Sequence, residues 1–293
     1  MKKFLLGALL AAVSAPAMAQ APLPDADPAM WVVKDEDTTV YLFGTFHLLD
    51  GKQDWFNDEV KAAFDKSEEV VLEALIPDDP AELQPLVVKY AVDSTGRTLS
   101  SKLPPDVKTK FDAELKTAGI PGEALDPMEP WFAAMTLTSV AAMKLGLKPE
   151  HGPETILKKA ATDRKLALGE LEGTEFQLSL FDKMPEAQQI KFLGQTLDSM
   201  SKIDETLTPM LTAWAKGDTD GLVKIMNDGL AEDPELYDLL FTQRNAEWAE
   251  WIDNRLDKPG TVFVAVGAGH LAGKGSVQDM LQKRGIKSAR VTQ

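Results

Sequence analysis

Gly44-Thr-Phe-His47, which follows the apolar run Val40-Tyr-Leu-Phe, recurs near the end of the chain as Gly267-Ala-Gly-His270 after Val262-Phe-Val-Ala-Val. Short apolar runs rich in valine and phenylalanine predict buried β-strands. The chain has only three histidines, and imidazole is common both as a metal ligand and as a proton-transfer group near neutral pH. The repeated pattern therefore predicts one paired site that is built from both ends of the chain. Gly44 and Gly267 are predicted to let the backbone turn sharply after each strand and approach a ligand closely.

The sequence around the first pattern predicts a parallel sheet. Residues 31–33 and 39–43 have the composition of a β-hairpin that leads into the first glycine. Apolar residues at helical spacing predict a helix over 54–66, and residues 70–75 form an apolar run that ends before Pro77. A strand, a helix and a second strand in this order indicate parallel strands.

The middle of the chain is predicted to be mainly helical, and strands return near its end. We predict further strands at 166–171, 261–266 and 288–292. Proline and glycine breaks divide the helices, which we place at 80–93, 105–118, 130–145, 153–164, 175–183, 186–216, 219–230, 234–257 and 276–283. These elements predict one α/β domain with a mixed, mainly parallel central sheet and a large helical insertion.

The first residues have the pattern of an export signal. Two lysines, an apolar run and Ala17-Met-Ala19 predict a signal peptide over 1–19, with a mature chain that starts near Gln20. Residues 20–28 contain three prolines and predict an extended leader, so that the folded domain covers 29–293. We therefore expect a periplasmic or secreted protein without a stable membrane anchor.

Composition excludes several classes of function. The chain has no cysteine and a formal net charge of −15, so it has no disulfides and no thiolate zinc site. An acidic surface is unsuited to nucleic acid, which is bound through lysine and arginine clusters. We therefore expect a peptide or another small molecule as the partner.

The notable polar residues follow the predicted strands. His47, Glu73, Glu172 and His270 each lie at or just beyond the carboxyl end of a strand, which is where ligands bind in open α/β sheets. Two imidazoles and two carboxylates suit a divalent metal such as zinc, manganese or cobalt, with a position left for water. One carboxylate could instead be the general base. The structural alternatives are that Glu73 merely ends a strand and that Glu172 caps the next helix.

Arg244 and Asn245 lie on or beside the apolar face of the predicted helix 234–257. A buried arginine needs a partner because an unpaired charge is costly in an apolar environment. Arg244 could orient an active-site carboxylate or bind a substrate carbonyl or carboxylate, with Asn245 beside it. Alternatively, its stem packs on tryptophan and its head group stays in water.

Several segments together resemble the TraB/GumN family, whose relatives include the Tiki metalloproteases and, more distantly, ChaN-like and erythromycin-esterase-like proteins. The segments run in family order from about residue 30 to the C-terminus. They are Tyr41-Leu-Phe-Gly-Thr-Phe-His47, Val71-Leu-Glu73, Gly169-Glu-Leu-Glu172-Gly-Thr-Glu-Phe-Gln177, Gly217-Asp218, Arg244-Asn245-Ala-Glu-Trp248 and Val264-Ala-Val-Gly-Ala-Gly-His270-Leu-Ala-Gly273.

The resemblance implies two pseudo-symmetric halves and a catalytic centre that uses both Gly-x-x-His motifs. In Tiki-like relatives these motifs and a glutamate support metal-dependent peptide cleavage. Carried over to this chain, His47, His270 and Glu73 are the expected metal ligands, and Glu73, Glu172 and Arg244 are the candidate catalytic residues. We therefore expect a metal-dependent hydrolase, with a peptidase as the leading form. The alternative is a binding protein that holds haem, metal or peptide in the same cleft without turnover.

Overall fold

The computed structural model describes residues 22–230 and 234–292. Its centre is a six-stranded sheet with the strand order β4-β3-β5-β2-β1-β6. The strands are β1 (Met30–Lys34), β2 (Thr38–Thr45), β3 (Glu69–Leu72), β4 (Ala167–Glu170), β5 (Gly260–Gly267) and β6 (Ser288–Arg290). Neighbours among β4, β3, β5 and β2 pair in parallel, whereas β1 is antiparallel to both β2 and β6. This is the predicted single-domain α/β fold with a mixed, mainly parallel sheet.

The helices follow the predicted order with some different boundaries. They are α1 (Asp58–Lys66), α2 (Pro80–Tyr90), α3 (Leu99–Lys102), α4 (Pro105–Ala118), α5 (Pro130–Lys144), α6 (Pro153–Arg164), α7 (Thr174–Asp182), α8 (Glu186–Ser199), α9 (Ile203–Ala215), α10 (Thr219–Leu230), α11 (Pro234–Tyr237), α12 (Gln243–Leu256) and α13 (Val277–Lys283).

Two long helices predicted from the sequence are divided, and one short helix was missed. A 3₁₀ turn at Met200–Lys202 divides the predicted helix 186–216, and a π-helical turn at Asp238–Thr242 divides the predicted helix 234–257. Neither interruption coincides with a proline or glycine, so the sequence lacked the usual signal of a break. The missed helix is α3, where the Thr98 side chain accepts a hydrogen bond from the Ser101 backbone N–H as an N-cap.

Alternate residues of the strands build two apolar cores, one on each face of the sheet. On one face Phe43 and Phe263 pack with Phe64 of α1 and Trp214 of α9. On the other face apolar residues of β2, β3 and β5 pack with Trp248 and Ile252 of α12 and with α13. The insertion between β3 and β4 has a core of its own, formed by residues of α3, α4, α5 and α8. Apolar packing therefore covers both faces of the sheet, and the carboxyl edge remains available for polar groups.

The N-terminal part of the chain is described from residue 22 onwards. The predicted signal peptide, 1–19, and Gln20 lie outside the described residues. The described part of the leader, 22–28, lies against the domain, where Ala26 is buried and its N–H donates to the Asp54 carbonyl oxygen. Among the described residues, no helix has both the length and the hydropathy needed to cross a membrane.

Gly44 and Gly267 do not turn through the left-handed conformation. Gly44 lies inside β2, where an added Cβ would be 3.2 Å from both Cα and Cβ of Ala268. At Gly267 an added Cβ would be 3.2 Å from Oε1 of Glu73. Neither residue is among those with positive φ. Their missing side chains therefore serve close packing at the sheet edge rather than an unusual backbone turn.

Gly44→Ala should destabilise the fold because the new methyl group meets backbone and Cβ atoms that cannot rotate away. We expect a decrease of about 1–3 kcal/mol in the free energy of unfolding, the usual cost of overpacking. Chemical denaturation followed by circular dichroism measures it. Gly122→Ala is the matched control, because nothing lies within 4 Å of the added Cβ. Equal stability of the two variants would contradict this packing.

Candidate functional site

The structure brings the four predicted strand-end residues to the carboxyl edge of the sheet. Glu73 directly follows β3, and Glu172 follows β4 two residues after its end. His270 lies in a 3₁₀ turn after β5, and His47 lies two residues beyond β2. The Glu172 N–H donates to the Glu73 carbonyl oxygen at 2.8 Å. Because β5 lies between β2 and β3 in the sheet, the two Gly-x-x-His segments are neighbours despite their separation in sequence.

The guanidinium of Arg244 joins three of these groups. Its Nε donates to Glu172 Oε1 at 2.8 Å, and its Nη2 donates to Glu172 Oε2 and to Glu73 Oε2, each at 2.9 Å. Its Nη1 donates to the Leu240 carbonyl oxygen at 2.9 Å and lies 3.1 Å from His270 Nε2. The side chain of Glu172 is 3% exposed and that of Arg244 is 10% exposed. The arginine head group is therefore buried among acceptors, and the alternative with its head in water is wrong.

Further donors fix both carboxylates. Glu172 Oε1 also accepts from Trp248 Nε1 at 2.9 Å, and Glu73 Oε1 accepts from the Gly267 N–H at 2.6 Å. Gln177 Nε2 donates to Oε2 of Glu73 at 3.1 Å and to Oε2 of Glu172 at 3.3 Å. The hydrogen bonds described for the Glu172 carboxylate come from the side chains of Arg244, Trp248 and Gln177 rather than from backbone N–H groups of α7. Glu172 therefore belongs to a cluster with Arg244, Glu73 and His270, and the structure does not support the helix-cap alternative.

Helix α12 presents Arg244 and Trp248 to the cluster. The two residues are four positions apart and therefore lie on one face, and the guanidinium stacks over the Trp248 ring at 4.8 Å. The π-helical turn at Asp238–Thr242 directly precedes α12. Such turns shift the phase of a helix and are frequent at functional sites.

The environment of His270 fixes its tautomer. Its ring lies between Phe241 and Trp248, with centroid distances of 4.8 Å and 4.3 Å. Asn245 Nδ2 donates to the Gly275 carbonyl oxygen, so Asn245 Oδ1 faces His270 Nδ1 at 2.6 Å. That nitrogen must carry the proton, and Nε2 presents its lone pair to Arg244. Asn245 was predicted to bind substrate, but both ends of its amide are engaged within the protein.

His47 has its own carboxylate partner. Its Nδ1 lies 2.7 Å from Oε1 of Glu154, in the first turn of α6, and the Thr45 hydroxyl donates to the same oxygen at 2.5 Å. The side chain of His47 is 71% exposed, whereas that of Glu154 is 23% exposed. The carboxylate holds Nδ1 and leaves Nε2 on the open side of the site.

The pKa values of the buried pair are shifted in the same direction for different reasons. Burial alone would raise the pKa of Glu73, but attraction to a protonated His270, the Arg244 charge and the Gly267 N–H outweigh it and lower that pKa to about 2. Burial lowers the pKa of His270 to about 3; the Glu73 charge opposes this shift, and Arg244 and His47 add to it. At neutral pH the structure therefore holds an ionised Glu73 beside a neutral His270.

The pKa of His47 moves the other way. The negative charge of Glu154 raises it to about 9, and the charge of Glu73 adds to this shift. His47 and Glu73 influence each other's pKa. The His47–Glu154 pair and the group around Arg244 are therefore electrostatically coupled. Because His47 is open to water, solvent screens its ion pair with Glu154 and limits the contribution of that pair to stability.

The predicted metal ligands have donor atoms that suit a divalent ion, but the distance between two of them is longer than such an ion requires. His270 Nε2 and Glu73 Oε1 are 3.9 Å apart, somewhat more than the roughly 3.4 Å spanned by two tetrahedral zinc bonds. Within the described ranges, no three histidine, aspartate or glutamate side chains are grouped as a metal site. Arg244 Nη1 occupies the lone pair of His270 that a metal would use. The donor types suit a divalent ion, and the metal site stays a prediction.

Sequence reasoning missed Glu154 and its hydrogen bonds to His47 and Thr45. The residue was assigned only to a helix, because nothing in sequence spacing links it to a histidine 107 positions away. Gln177 and Trp248 lay in segments quoted for the family resemblance, but without a role. A polar residue in the first turn of a helix that follows a Gly-Pro break is the weak signal that marks Glu154.

A family comparison covers most of the chain. The sequence model of the TraB/PrgY/gumN family matches residues 29–290 of this chain. The chain belongs to this family. The match spans all six strands, so the Arg244 cluster and the His47–Glu154 pair lie within the family domain.

Two curated relatives share part of this sequence. The Uncharacterized protein YbaP of Escherichia coli (strain K12) and its counterpart in Shigella flexneri are each 32% identical to the chain over 152 residues. The matched part covers 52% of this chain and 56% of each relative, so the chain spans about half the length of these proteins. No solved structure matches the chain.

His47 and His270 should titrate on opposite sides of the ordinary histidine value. We expect a pKa near 9 for His47 and near 3 for His270, measured from ring ¹H–¹⁵N NMR spectra assigned with His→Gln variants. Glu154→Gln should lower the His47 pKa because it removes the negative charge. Thr45→Val, which keeps that charge, should leave the His47 pKa nearly unchanged. Two similar values near 6.5 would contradict the described contacts.

These shifts also set the sign of the pH dependence of stability. Because the folded-state pKa of His270 lies below its unfolded value, the unfolded chain takes up the extra proton, and stability falls as pH decreases from about 6.5 towards 3. The His47–Glu154 pair has the opposite sign, since its contribution is complete below about 6.5 and is lost as pH rises towards 9.

Proposed function

We propose that the protein is an exported, metal-dependent hydrolase of the periplasm or extracellular space, with peptide bonds as the expected substrate. One observation carries the proposal: His47 and His270 are held in the same way. Each has Nδ1 engaged by a side-chain oxygen, from Glu154 in one case and Asn245 in the other. Each therefore directs Nε2 away from that partner. Metal-binding histidines almost always have the second ring nitrogen held by such an acceptor.

The residues that would hold the metal are His47, His270 and Glu73. Imidazole nitrogen and carboxylate oxygen suit zinc, manganese or cobalt. When bound, a divalent metal polarises a carbonyl oxygen and lowers the pKa of water near it. Since a raised pKa keeps His47 protonated at neutral pH, we expect metal binding to release a proton.

The surrounding residues keep these donors in place. Glu154 and Thr45 orient His47, and Asn245 fixes the tautomer of His270. The lowered pKa of Glu73 makes it a weak proton acceptor and a suitable ligand, so we assign it to metal binding rather than to proton transfer. Glu172 positions Arg244 with two parallel hydrogen bonds, and Arg244 supplies positive charge for an oxyanion.

The character of the site favours hydrolysis over haem binding. Haem requires an axial histidine in a wide apolar pocket, whereas His270 lies beside an ionised carboxylate and a guanidinium. Glu73 faces His270 at 3.9 Å, and Arg244 connects Glu172 to the same ring. A charged, hydrogen-bonded centre of this kind is suited to a reaction in which charge develops on oxygen.

Hydrolysis should depend on both histidines. With manganese, cobalt or zinc supplied, we expect the purified mature protein to cleave members of a peptide library detected by mass spectrometry. His47→Gln and His270→Gln should abolish cleavage. Glu154→Gln should lower kcat/KM by about 10–100-fold, the usual effect of losing the partner of a metal-binding histidine.

His151→Gln is the matched control, because His151 lies outside the cluster and its ring packs on Gly51; its activity should equal that of the wild type. Metal binding by folded protein without hydrolysis of any peptide or ester would contradict the hydrolase and favour the binding alternative.

A further inference from the structure

Every N–H group of the Arg244 guanidinium has an acceptor. Nε–H donates to Glu172, the two Nη2 protons are directed to Glu73 and Glu172, and the two Nη1 protons are directed to the Leu240 carbonyl oxygen and to His270 Nε2. A guanidinium has five such donors. Arg244 therefore satisfies its whole hydrogen-bonding capacity inside the cluster.

A chain of hydrogen bonds fixes the contact between Arg244 Nη1 and His270 Nε2. The Gly275 carbonyl oxygen orients the Asn245 amide, and Asn245 in turn holds the proton on His270 Nδ1. The lone pair of His270 is consequently on Nε2, where Arg244 Nη1 lies at 3.1 Å. A metal ion binds a neutral imidazole through the same lone pair. Arg244 and a metal therefore cannot use His270 at the same time.

The charges of the cluster favour the presence of a cation. Glu73 and Glu172 contribute two carboxylates, and Arg244 contributes one positive charge. Their side chains are 11%, 3% and 10% exposed, respectively. Removing the guanidinium would leave two buried carboxylates beside a free imidazole lone pair, which is an unfavourable state unless another cation enters. A divalent metal carries the charge that would neutralise both carboxylates.

We propose that Arg244 is the resident cation of this centre and sets its metal affinity, because a divalent metal binds His270 only after the guanidinium has withdrawn from Nε2. This inference rests on the proposed function, since it concerns the same metal site. The apparent affinity for metal is then the intrinsic affinity reduced by the fraction of molecules in which Arg244 has withdrawn. The N–H that leaves His270 becomes available to a substrate oxygen.

The test is the binding of Mn²⁺ alone, measured by titration calorimetry and by the loss of the free-ion signal in electron paramagnetic resonance. Arg244→Met should bind Mn²⁺ at least about tenfold more tightly than the wild type. Arg255→Met is the matched control from the same helix, because Arg255 pairs with Glu69 rather than with the cluster. Its affinity should equal that of the wild type.

A second measurement keeps the inference testable if Arg244→Met folds poorly. In Arg244→Ala, millimolar methylguanidinium should occupy the vacated position and weaken Mn²⁺ binding, whereas it should not affect the wild type. Circular dichroism of each variant checks folding before titration. Arg244→Lys, which keeps a positive charge near the carboxylates, should bind Mn²⁺ less tightly than Arg244→Met.

The outcomes separate this inference from the proposed function. If the wild type and Arg244→Met bind Mn²⁺ equally, the metal site stands and the role of Arg244 is wrong. If Arg244→Met binds more weakly, Arg244 supports the metal and the inference is overturned. If no folded variant binds Mn²⁺, cobalt or zinc, both the inference and the metal-dependent function fail.

Discussion

The buried guanidinium of Arg244 determines how the carboxyl edge of this sheet is arranged, because each of its N–H groups needs a hydrogen-bond acceptor. Arg244 takes them from residues that follow three strands and from the π-helical turn before its own helix. Leaving one buried donor without an acceptor costs about 1–3 kcal/mol, and breaking a buried ion pair by removing one partner costs about 3–5 kcal/mol. The positions of Glu73, Glu172 and His270 are therefore mutually determined. A displacement of one would leave Arg244 partly unsatisfied.

The strand order makes this arrangement possible. Strand β5, the fifth in sequence, enters the sheet between β2 and β3, so that His270 reaches a position beside Glu73. The segments that meet here are separated by most of the chain. Parallel pairs between distant segments close late, because the entropy of loop closure opposes them. We therefore expect the cluster to form only after β5 has joined the sheet.

Local signals made much of the fold predictable. Helix α4 was predicted with the observed bounds, because Pro105 suits the first helical position and a glycine commonly follows the last one. Gly119 adopts the left-handed conformation there, with φ 75°. The apolar runs before Gly44 and Gly267 identified β2 and β5. By contrast, the turn at Met200–Lys202 contains no proline or glycine, so no local signal marked that boundary.

The sequence predicted which residues form the site but not which of them bind each other. Strand ends identified His47, Glu73, Glu172 and His270, since parallel strands present their carboxyl ends at one edge. The sequence did not reveal that Glu154 holds His47. Nor did it reveal that Arg244 binds Glu172 and Glu73 and lies against His270, because such contacts follow from side-chain directions in three dimensions.

A double-mutant cycle of Arg244→Met and Glu172→Gln tests this account most directly. The free energy of unfolding of the wild type, both single variants and the double variant is measured by chemical denaturation at pH 7. If the Arg244–Glu172 bond organises the edge, the double variant should lose less than the sum of the single losses, with a coupling of about 1–3 kcal/mol. Additive losses would contradict the central role of Arg244.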